Sequence, residues 1–361
     1  MGYPDTFEGF AVESADKWTE PKYREYKPRP FEERDVDIEV QACGVCGSDV
    51  HTVTSGWGEC PYPLVVGHEI VGIVKRVGDK CETGLKVGQR VGVGAQAWAC
   101  LSCRQCKADN EVYCPQMRDT YGAKYPDGSI TQGGYASHVR VHEYFVFPIP
   151  DVLETTAVAP MLCAGATAFS PLYRNGCGPG KRVGIVGIGG IGHFGLLFAK
   201  ALGAEVFAIS RSDKKKEDAF KLGADGFIAT EKKGWNEEYS MTFDLIVNCA
   251  NSSENFDLAA YMSLLDVNGR FINVGLPEGD GFKIEPFKMI GNGAVFGFSH
   301  IASRPEILKM LDIAAEKGVK SWVETLPVGE KGCGEALKRC HDNDVRYRFT
   351  LTDYDKAFPK K

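Results

Sequence analysis

Four cysteines, Cys100, Cys103, Cys106 and Cys114, stand in the pattern C-x2-C-x2-C-x7-C. Four thiolates this close together can surround one tetrahedral zinc ion and leave no position for water, which would make the site structural. The loop that carries them, about residues 97–118, has little apolar content and could not hold its shape by burial alone. Zinc binding supplies roughly 10–16 kcal/mol to such a loop. An iron–sulfur cluster also uses two-residue spacings, and Cys114-Pro115 imitates the end of the bacterial run. That run closes with a spacing of about three, however, and here the spacing is seven. Four unrelated thiols are the remaining reading, which the clustering disfavours.

A second constellation is scattered. Gly44-Val45-Cys46-Gly47-Ser48-Asp49-Val50-His51 is followed by Gly67-His68-Glu69, and Cys163 lies much further on. Catalytic zinc usually takes three protein ligands and keeps a fourth position open, and Cys46, His68 and Cys163 would make such a set. Two thiolates reduce the ion's net charge, while the open position still polarises an alcohol or carbonyl oxygen. Glu69 could approach the metal when substrate is absent. Each residue also has a plain reading. Cys43 and Cys46 form a C-x2-C pair that could be a redox pair or a metal hook. His51 and His68 could be ordinary surface or core histidines, and Cys163 an inert buried thiol. Spacing alone leaves these open; the combination is what points to a metal.

A third motif, Gly187-Ile188-Gly189-Gly190-Ile191-Gly192, fits G-x-G-x-x-G. It follows an apolar run and opens a helical one, as a dinucleotide-binding turn requires. The glycines allow a sharp turn and close approach to a pyrophosphate, and the helix N-terminus offers free N–H groups to it. Further on, an NAD enzyme would place Asp or Glu to hold the ribose hydroxyls. This chain reads Ile209-Ser210-Arg211-Ser212-Asp213-Lys214-Lys215-Lys216 instead. Ser210 can hydrogen-bond a 2′-phosphate, Arg211 can clamp it or stack on adenine, and Lys215 adds charge. NADP(H) is therefore favoured over NAD. The rival reading is a solvated basic helix start with Asp213 as a late acid.

The elements that must position these residues fall into two textures. Residues 35–150 are β-rich, with short runs such as Asp37–Val40, Ile70–Val74 and Val139–Val141 broken by Gly and Pro, as in an irregular barrel-like domain. From about residue 157, strands at Val183–Val186, Glu205–Ile209, Asp244–Val247, Gly269–Val274 and Ala294–Gly297 alternate with helical stretches at Phe194–Ala201 and Ser212–Leu222. Such alternation predicts an α/β, doubly wound parallel sheet. The expected division is 1–156, 157–298 and a return to the first domain over 299–361.

Composition bounds the rest. The chain has 361 residues, 43% hydrophobic and 25% charged, enough for two domains with cores. Its net charge of −6 offers no basic face for nucleic acid or an anionic membrane. Within the cysteine lobe Arg104, Lys107 and Arg118 are offset by Asp109, Glu111 and Asp119, against a nucleic-acid-binding zinc module. Met1–Glu13 has no apolar signal-peptide core, and Val183–Ala199 holds six glycines, too many for a spanning helix. Phe358-Pro359-Lys360-Lys361 matches no targeting signal. Thirteen cysteines in such a chain read as ligands or thiols in a reducing, cytoplasmic setting.

Together these pieces resemble the zinc-dependent medium-chain alcohol dehydrogenases, nearest the NADP-dependent cinnamyl-alcohol-dehydrogenase branch with its broad-specificity fungal enzymes. The carrying motifs are Gly44–His51, Pro63–Glu69, the four-cysteine lobe, Gly133-Gly134-Tyr135-Ala136, the glycine turn with Ser210-Arg211, and Asp344–Phe349. The resemblance implies a Rossmann cofactor domain beside a GroES-like catalytic domain, and two zinc ions per chain. It implies that Cys46, His68 and Cys163 hold the catalytic ion with Glu69 beside them, and that Asp49 orients a ligand from behind. Ser48 would relay the alcohol proton toward His51. Trp57, Trp98 and Phe298 are aromatic candidates for an apolar substrate cleft. Family members are commonly homodimers joined through an edge strand, here near residues 293–299. The implied activity is reversible oxidation of alcohols and reduction of aldehydes; a polyol or sugar-alcohol dehydrogenase is the rival enzyme, and a non-enzymatic zinc module the rival of another class. The resemblance gives no role to Cys43, Cys60, Cys81, Cys177, Cys249, Cys333 or Cys340.

Overall fold

The structure, a computed structural model, describes residues 4–251, 256–277 and 281–359; Met1 and the closing Lys360-Lys361 lie outside them. The chain divides into two compact units, one of residues 1–163, 303–315 and 320–361, the other of 164–302 and 316–319.

The first unit opens with a hairpin of β1 (Phe7–Ala11) and β2 (Lys22–Tyr26). Its main strands are β3 (Asp35–Val45), β4 (Glu69–Val77) and β5 (Arg90–Val93). A short pair, β6 (Gln96–Trp98) and β7 (Arg118–Asp119), brackets the cysteine lobe. Then come β8 (His138–His142) and β9 (Val146–Pro148). β3 is longer than its apolar run suggests because both faces are covered. Its apolar Val36, Ile38 and Val40 enter the core, and its buried Asp35 and Asp37 meet Arg29 and Arg140 at 2.5 and 2.7 Å.

The second unit is a six-stranded sheet, parallel throughout. Its strands are β10 (Arg182–Val186), β11 (Glu205–Ser210), β12 (Gly226–Ala229), β13 (Phe243–Asn248), β14 (Leu265–Asn273) and β15 (Val295–Phe298), in the order β12-β11-β10-β13-β14-β15. The continuous apolar runs of β10, β11 and β13 suit strands covered on both faces. Order reverses between β10 and β13, the place where doubly wound sheets bind ligands. The four-residue β12 has no periodicity to betray it in the sequence; it exists because Phe207–Ser210 offers it a parallel edge.

The chain then returns to the first unit as β16 (Val323–Pro327) and β17 (Arg348–Thr352). These complete a sheet ordered β16-β17-β3-β4-β5-β9, with β8 also paired to β3. The divide falls between Cys163 and Ala164 and the return begins at Ser303, rather than at 156/157 and 298/299. Residues 157–163 stay with the first unit because its returning chain holds the start of this stretch: Ser321, just before β16, donates to the Ala157 carbonyl at 2.6 Å, and Thr350 on β17 donates to that of the adjoining Thr156 at 2.9 Å. Among the described residues, no helix is long and apolar enough to cross a membrane.

Candidate active site

The buried cluster around Cys46 is assembled by the first unit's sheet. β3 delivers the chain into the helix Gly47–Val53, whose N-terminal flanking residue is Cys46. β4 begins at Glu69, just after His68. Cys163 ends the turn Ala159–Leu162. The Cys46 and Cys163 sulfurs lie 3.9 Å apart, and one ligand atom from each of Cys46, His68, Glu69 and Cys163 falls within 4.8 Å of all the others. All four side chains are buried.

This cluster has the character of a cation site. His68 Nε2 and Glu69 Oε2 are buried and lack hydrogen-bond partners, a costly arrangement for polar atoms unless something else meets them. The contact with Cys163 draws the Cys46 thiol well below its usual range, and the same contact pushes Cys163 up. Burial disfavours charge on His68, yet the Cys46 sulfur, with Asp49 and Glu69, lifts it to about 9. Burial raises Glu69 to about 7, against the pull of Arg348. Protons are thus shared among groups that would all release them to a metal. Tetrahedral zinc with bonds of about 2.3 Å to sulfur sets sulfurs about 3.8 Å apart, which the Cys46–Cys163 separation matches.

Three further residues, two side chains and one glycine, support the cluster. Arg348, on β17, pairs with Glu69 although both are buried. Tyr121 stacks on the His68 ring at 5.1 Å. Gly44 leaves the space that Glu69 fills, since a Cβ there would lie 2.0 Å from Glu69 Oε2. Arg348 and Gly44 lie within the motifs Asp344–Phe349 and Gly44–His51, but no local spacing ties either to Glu69.

Ser48 and His51 sit three residues apart on the helix Gly47–Val53, so they share a face. Ser48 Oγ is 3.5 Å from Cys46 Sγ. His51 stacks against Trp57 with ring centres 4.5 Å apart and planes at 16°. Asp49 is fully buried and takes a hydrogen bond from the Cys46 amide at 3.0 Å. Trp98 is half-buried on β6 against the first unit's core, and Phe298 is exposed on β15 of the second unit.

The lobe sulfurs form a second closed set. Neighbouring pairs among Cys100, Cys103, Cys106 and Cys114 are 3.5 to 3.9 Å apart, the edges of a zinc tetrahedron again. The amides of Cys103 and Gln116 point at the sulfurs of Cys100 and Cys114, at 3.4 and 3.3 Å. Apolar packing in the lobe is slight, limited to Ala99, Phe145 and a few half-buried neighbours. Glu111 in the lobe accepts the Arg304 amide at 2.5 Å and so tethers it to the helix Arg304–Lys317.

In the second unit the glycine turn links β10 to the helix Gly192–Ala201. Gly187 has φ of +81°, and a Cβ on Gly192 would meet the Gly187 carbonyl at 1.9 Å, so neither tolerates a side chain. Gly189, Gly190 and Ile191 complete the turn, and no side chain caps the helix start. The Gly187 amide bonds to the Ile209 carbonyl at 2.9 Å, joining the turn to the end of β11. Ser210 closes that strand and Arg211 is exposed just beyond it. Lys215 reaches back to donate to the Ile188 carbonyl at 2.6 Å. Asp213, the late acid, pairs with Lys232 at 2.9 Å.

Comparison with known proteins agrees with this arrangement. Residues 32–151 match the alcohol dehydrogenase GroES-like domain, and residues 190–316 match the zinc-binding dehydrogenase domain. The chain is 51% identical over 360 residues to NADP-dependent alcohol dehydrogenase 6 of Saccharomyces cerevisiae, covering 99% of each. A cinnamyl alcohol dehydrogenase of Sorghum bicolor superposes with a TM-score of 0.90 at 33% identity, over 96% of this chain and 97% of that one. The CAD of Helicobacter pylori, solved in complex with NADP(H), gives 0.87 at 31%, over 96% and 98%. The chain belongs to the zinc-binding medium-chain alcohol dehydrogenases, with a GroES-like domain and a Rossmann domain.

Proposed function

We propose that the protein is an NADP(H)-dependent zinc alcohol dehydrogenase that interconverts primary alcohols and aldehydes, aromatic ones such as cinnamyl and medium aliphatic ones. The carrying observation is the buried set of Cys46, His68, Glu69 and Cys163, with ligand atoms within 4.8 Å of one another. Cys46, His68 and Cys163 would hold a zinc ion there with Glu69 beside it, and the lobe cysteines a second. When bound, zinc polarises the substrate oxygen and the dinucleotide carries the hydride.

The chain's own residues handle the proton. Ser48, at the rim of the thiolate cluster, takes the proton that leaves the alcohol oxygen and returns one when an aldehyde is reduced. His51, one turn along and half exposed, exchanges it with solvent. Trp57 fixes the plane of the His51 ring by stacking on it. Asp49 acts from behind, through the backbone that carries Cys46. The glycine turn receives the pyrophosphate, and Ser210, Arg211 and Lys215 hold the 2′-phosphate. Trp57, Trp98 and Phe298 remain candidates for contact with an apolar substrate.

Homodimerisation is supported by β15, the outermost strand of its sheet, where Val295 and Phe298 are exposed, as are Phe287 and Ile290 shortly before it in the sequence. Apolar edge strands invite pairing with a second copy. None of the thirteen cysteines, all among the described residues, is in a disulfide, which suits a reducing cytoplasm.

The test is turnover of a panel of aldehydes with NADPH and NADH, beside sorbitol with the oxidised cofactors. Cinnamaldehyde and medium aliphatic aldehydes should consume NADPH readily and NADH poorly. Zinc-replete protein that turns over no aldehyde would refute the reading, and faster turnover of sorbitol would favour the polyol enzyme. Light scattering should give a dimer that Phe298→Glu weakens; a monomer in the native protein would exclude pairing through β15.

A further inference from the structure

Asp49 does more than cap its own helix. Its Oδ2 accepts the Cys46 amide at 3.0 Å and its Oδ1 the Gly67 amide at 3.3 Å, so one buried carboxylate joins the two backbone segments that bear Cys46 and His68. A third group completes the clamp. The Tyr135 hydroxyl donates to Asp49 Oδ2 at 3.0 Å, from a side chain with no exposed surface.

Tyr135 is itself rigidly held. Its amide donates to the Val66 carbonyl at 3.0 Å, the preceding Gly134 amide donates to that of Gly67 at 2.7 Å, and its own carbonyl accepts from Phe10 at 2.9 Å. Its ring lies where a side chain on Gly67 would be, since a Cβ there would come within 2.5 Å of Tyr135 Cδ1. Gly67 has φ of +101°, so the backbone immediately before His68 takes a path that only glycine follows easily and that the tyrosine ring fills. Ring and hydroxyl therefore fix the same segment from two sides.

We propose that Tyr135 is a positioning residue for the Cys46–His68–Cys163 centre: through Asp49 it sets the separation of the two ligand-bearing segments and slows escape of the ion. This rests on the reading of that centre as a zinc site. Hydrogen-bonding partners behind metal ligands typically change metal affinity by about 10- to 100-fold, and Tyr135 acts at one further remove, which puts the expected effect near the lower end.

The experiment follows zinc loss to a chromogenic chelator. Native protein should release two ions per chain, with the lobe ion as internal reference. Tyr135→Phe keeps the ring and removes only the hydroxyl; it should speed release from the Cys46 centre about tenfold, leave the lobe rate unchanged, and shift the visible bands of the cobalt-substituted centre. Tyr354→Phe is the matched control, because the Tyr354 hydroxyl is also buried and donates to the Gly134 carbonyl at 2.8 Å without touching Asp49. It should leave release within about twofold of native while losing comparable thermal stability. Asp49→Asn should speed release as well, and adding Tyr135→Phe to it should do nothing further. Unchanged release in Tyr135→Phe, equal acceleration in Tyr354→Phe, or additive effects would each overturn the proposal. A Cys103→Ser protein that holds no zinc would instead sink the reading of the Cys46 centre as a zinc site.

Discussion

Cofactor choice gives the sharpest quantitative test, through the double substitution Ser210→Asp with Arg211→Ile. The end of β11 is tied to the glycine turn by the 2.9 Å bond from Gly187 to Ile209, and Lys215 reaches the same turn at Ile188. Ser210, Arg211 and Lys215 therefore gather on one rim, and the substitution removes two of the three. Hydrogen bonds to a charged group contribute about 1.5–3 kcal/mol each when shielded from water. Arg211 is exposed, so its contribution is discounted to about 1 kcal/mol. Adding about 1.5–3 kcal/mol for the lost serine bond gives about 2.5–4 kcal/mol against the phosphorylated cofactor, and repulsion by the new carboxylate acts in the same direction. That is about a 70- to 900-fold fall, or more, in the ratio of kcat/KM for NADPH to that for NADH. Steady-state rates with one aldehyde and both cofactors measure it directly. Equal losses with the two cofactors would show that these residues do not read the phosphate.

Three further outcomes follow from the first unit. Arg348→Met leaves the Glu69 carboxylate buried without its partner and should cost about 3–5 kcal/mol in chemical denaturation, with Glu69→Gln in the same chain restoring much of it; an unchanged midpoint would refute the pairing. Burial, aided by Arg34, pushes His142 down to about 4, and its Nδ1 accepts the Tyr144 amide at 3.2 Å. The unfolded chain thus takes up a proton near pH 6.5 that the native one refuses until about pH 4, so stability is full above 6.5 and falls through that window by at most about 3 kcal/mol. His142→Gln should flatten this slope, and equal slopes in both proteins would refute it. Cys103→Ser should lower zinc by one ion per chain and open residues 97–118 to proteases, while the Cys46 centre keeps its ion; loss of both ions would contradict two independent sites.

What the sequence disclosed follows the range of the interaction. The lobe and the glycine turn are written in local spacing, because ligands or glycines a few residues apart must meet whatever the rest of the chain does. Cys163 was harder: its 3.9 Å approach to Cys46 spans 117 residues and depends on how residues 157–163 dock on the first unit. Arg348 lies 279 residues from Glu69. Only the antiparallel register of β17 on β3, where Thr350 faces Gly44, together with Gly44 facing Glu69 on β4, brings the two together. Tyr121 and Tyr135 likewise have no periodicity to announce them. The short β12 and the late domain divide escaped for the same reason, since partners remote in sequence define both.

The unequal reach of the two ligand sets has a consequence for biosynthesis. The lobe closes a span of 14 residues between Cys100 and Cys114, whereas the other centre must close 117 between Cys46 and Cys163. Chain closure over the longer span costs about 2 kcal/mol more, and it also waits for residue 163 to leave the ribosome. The lobe could be metallated as soon as Cys114 has emerged, well before Cys163 is available to complete the Cys46 centre. Under zinc scarcity, newly made molecules would therefore fill first the position that shapes the protein and only later the one that does its chemistry.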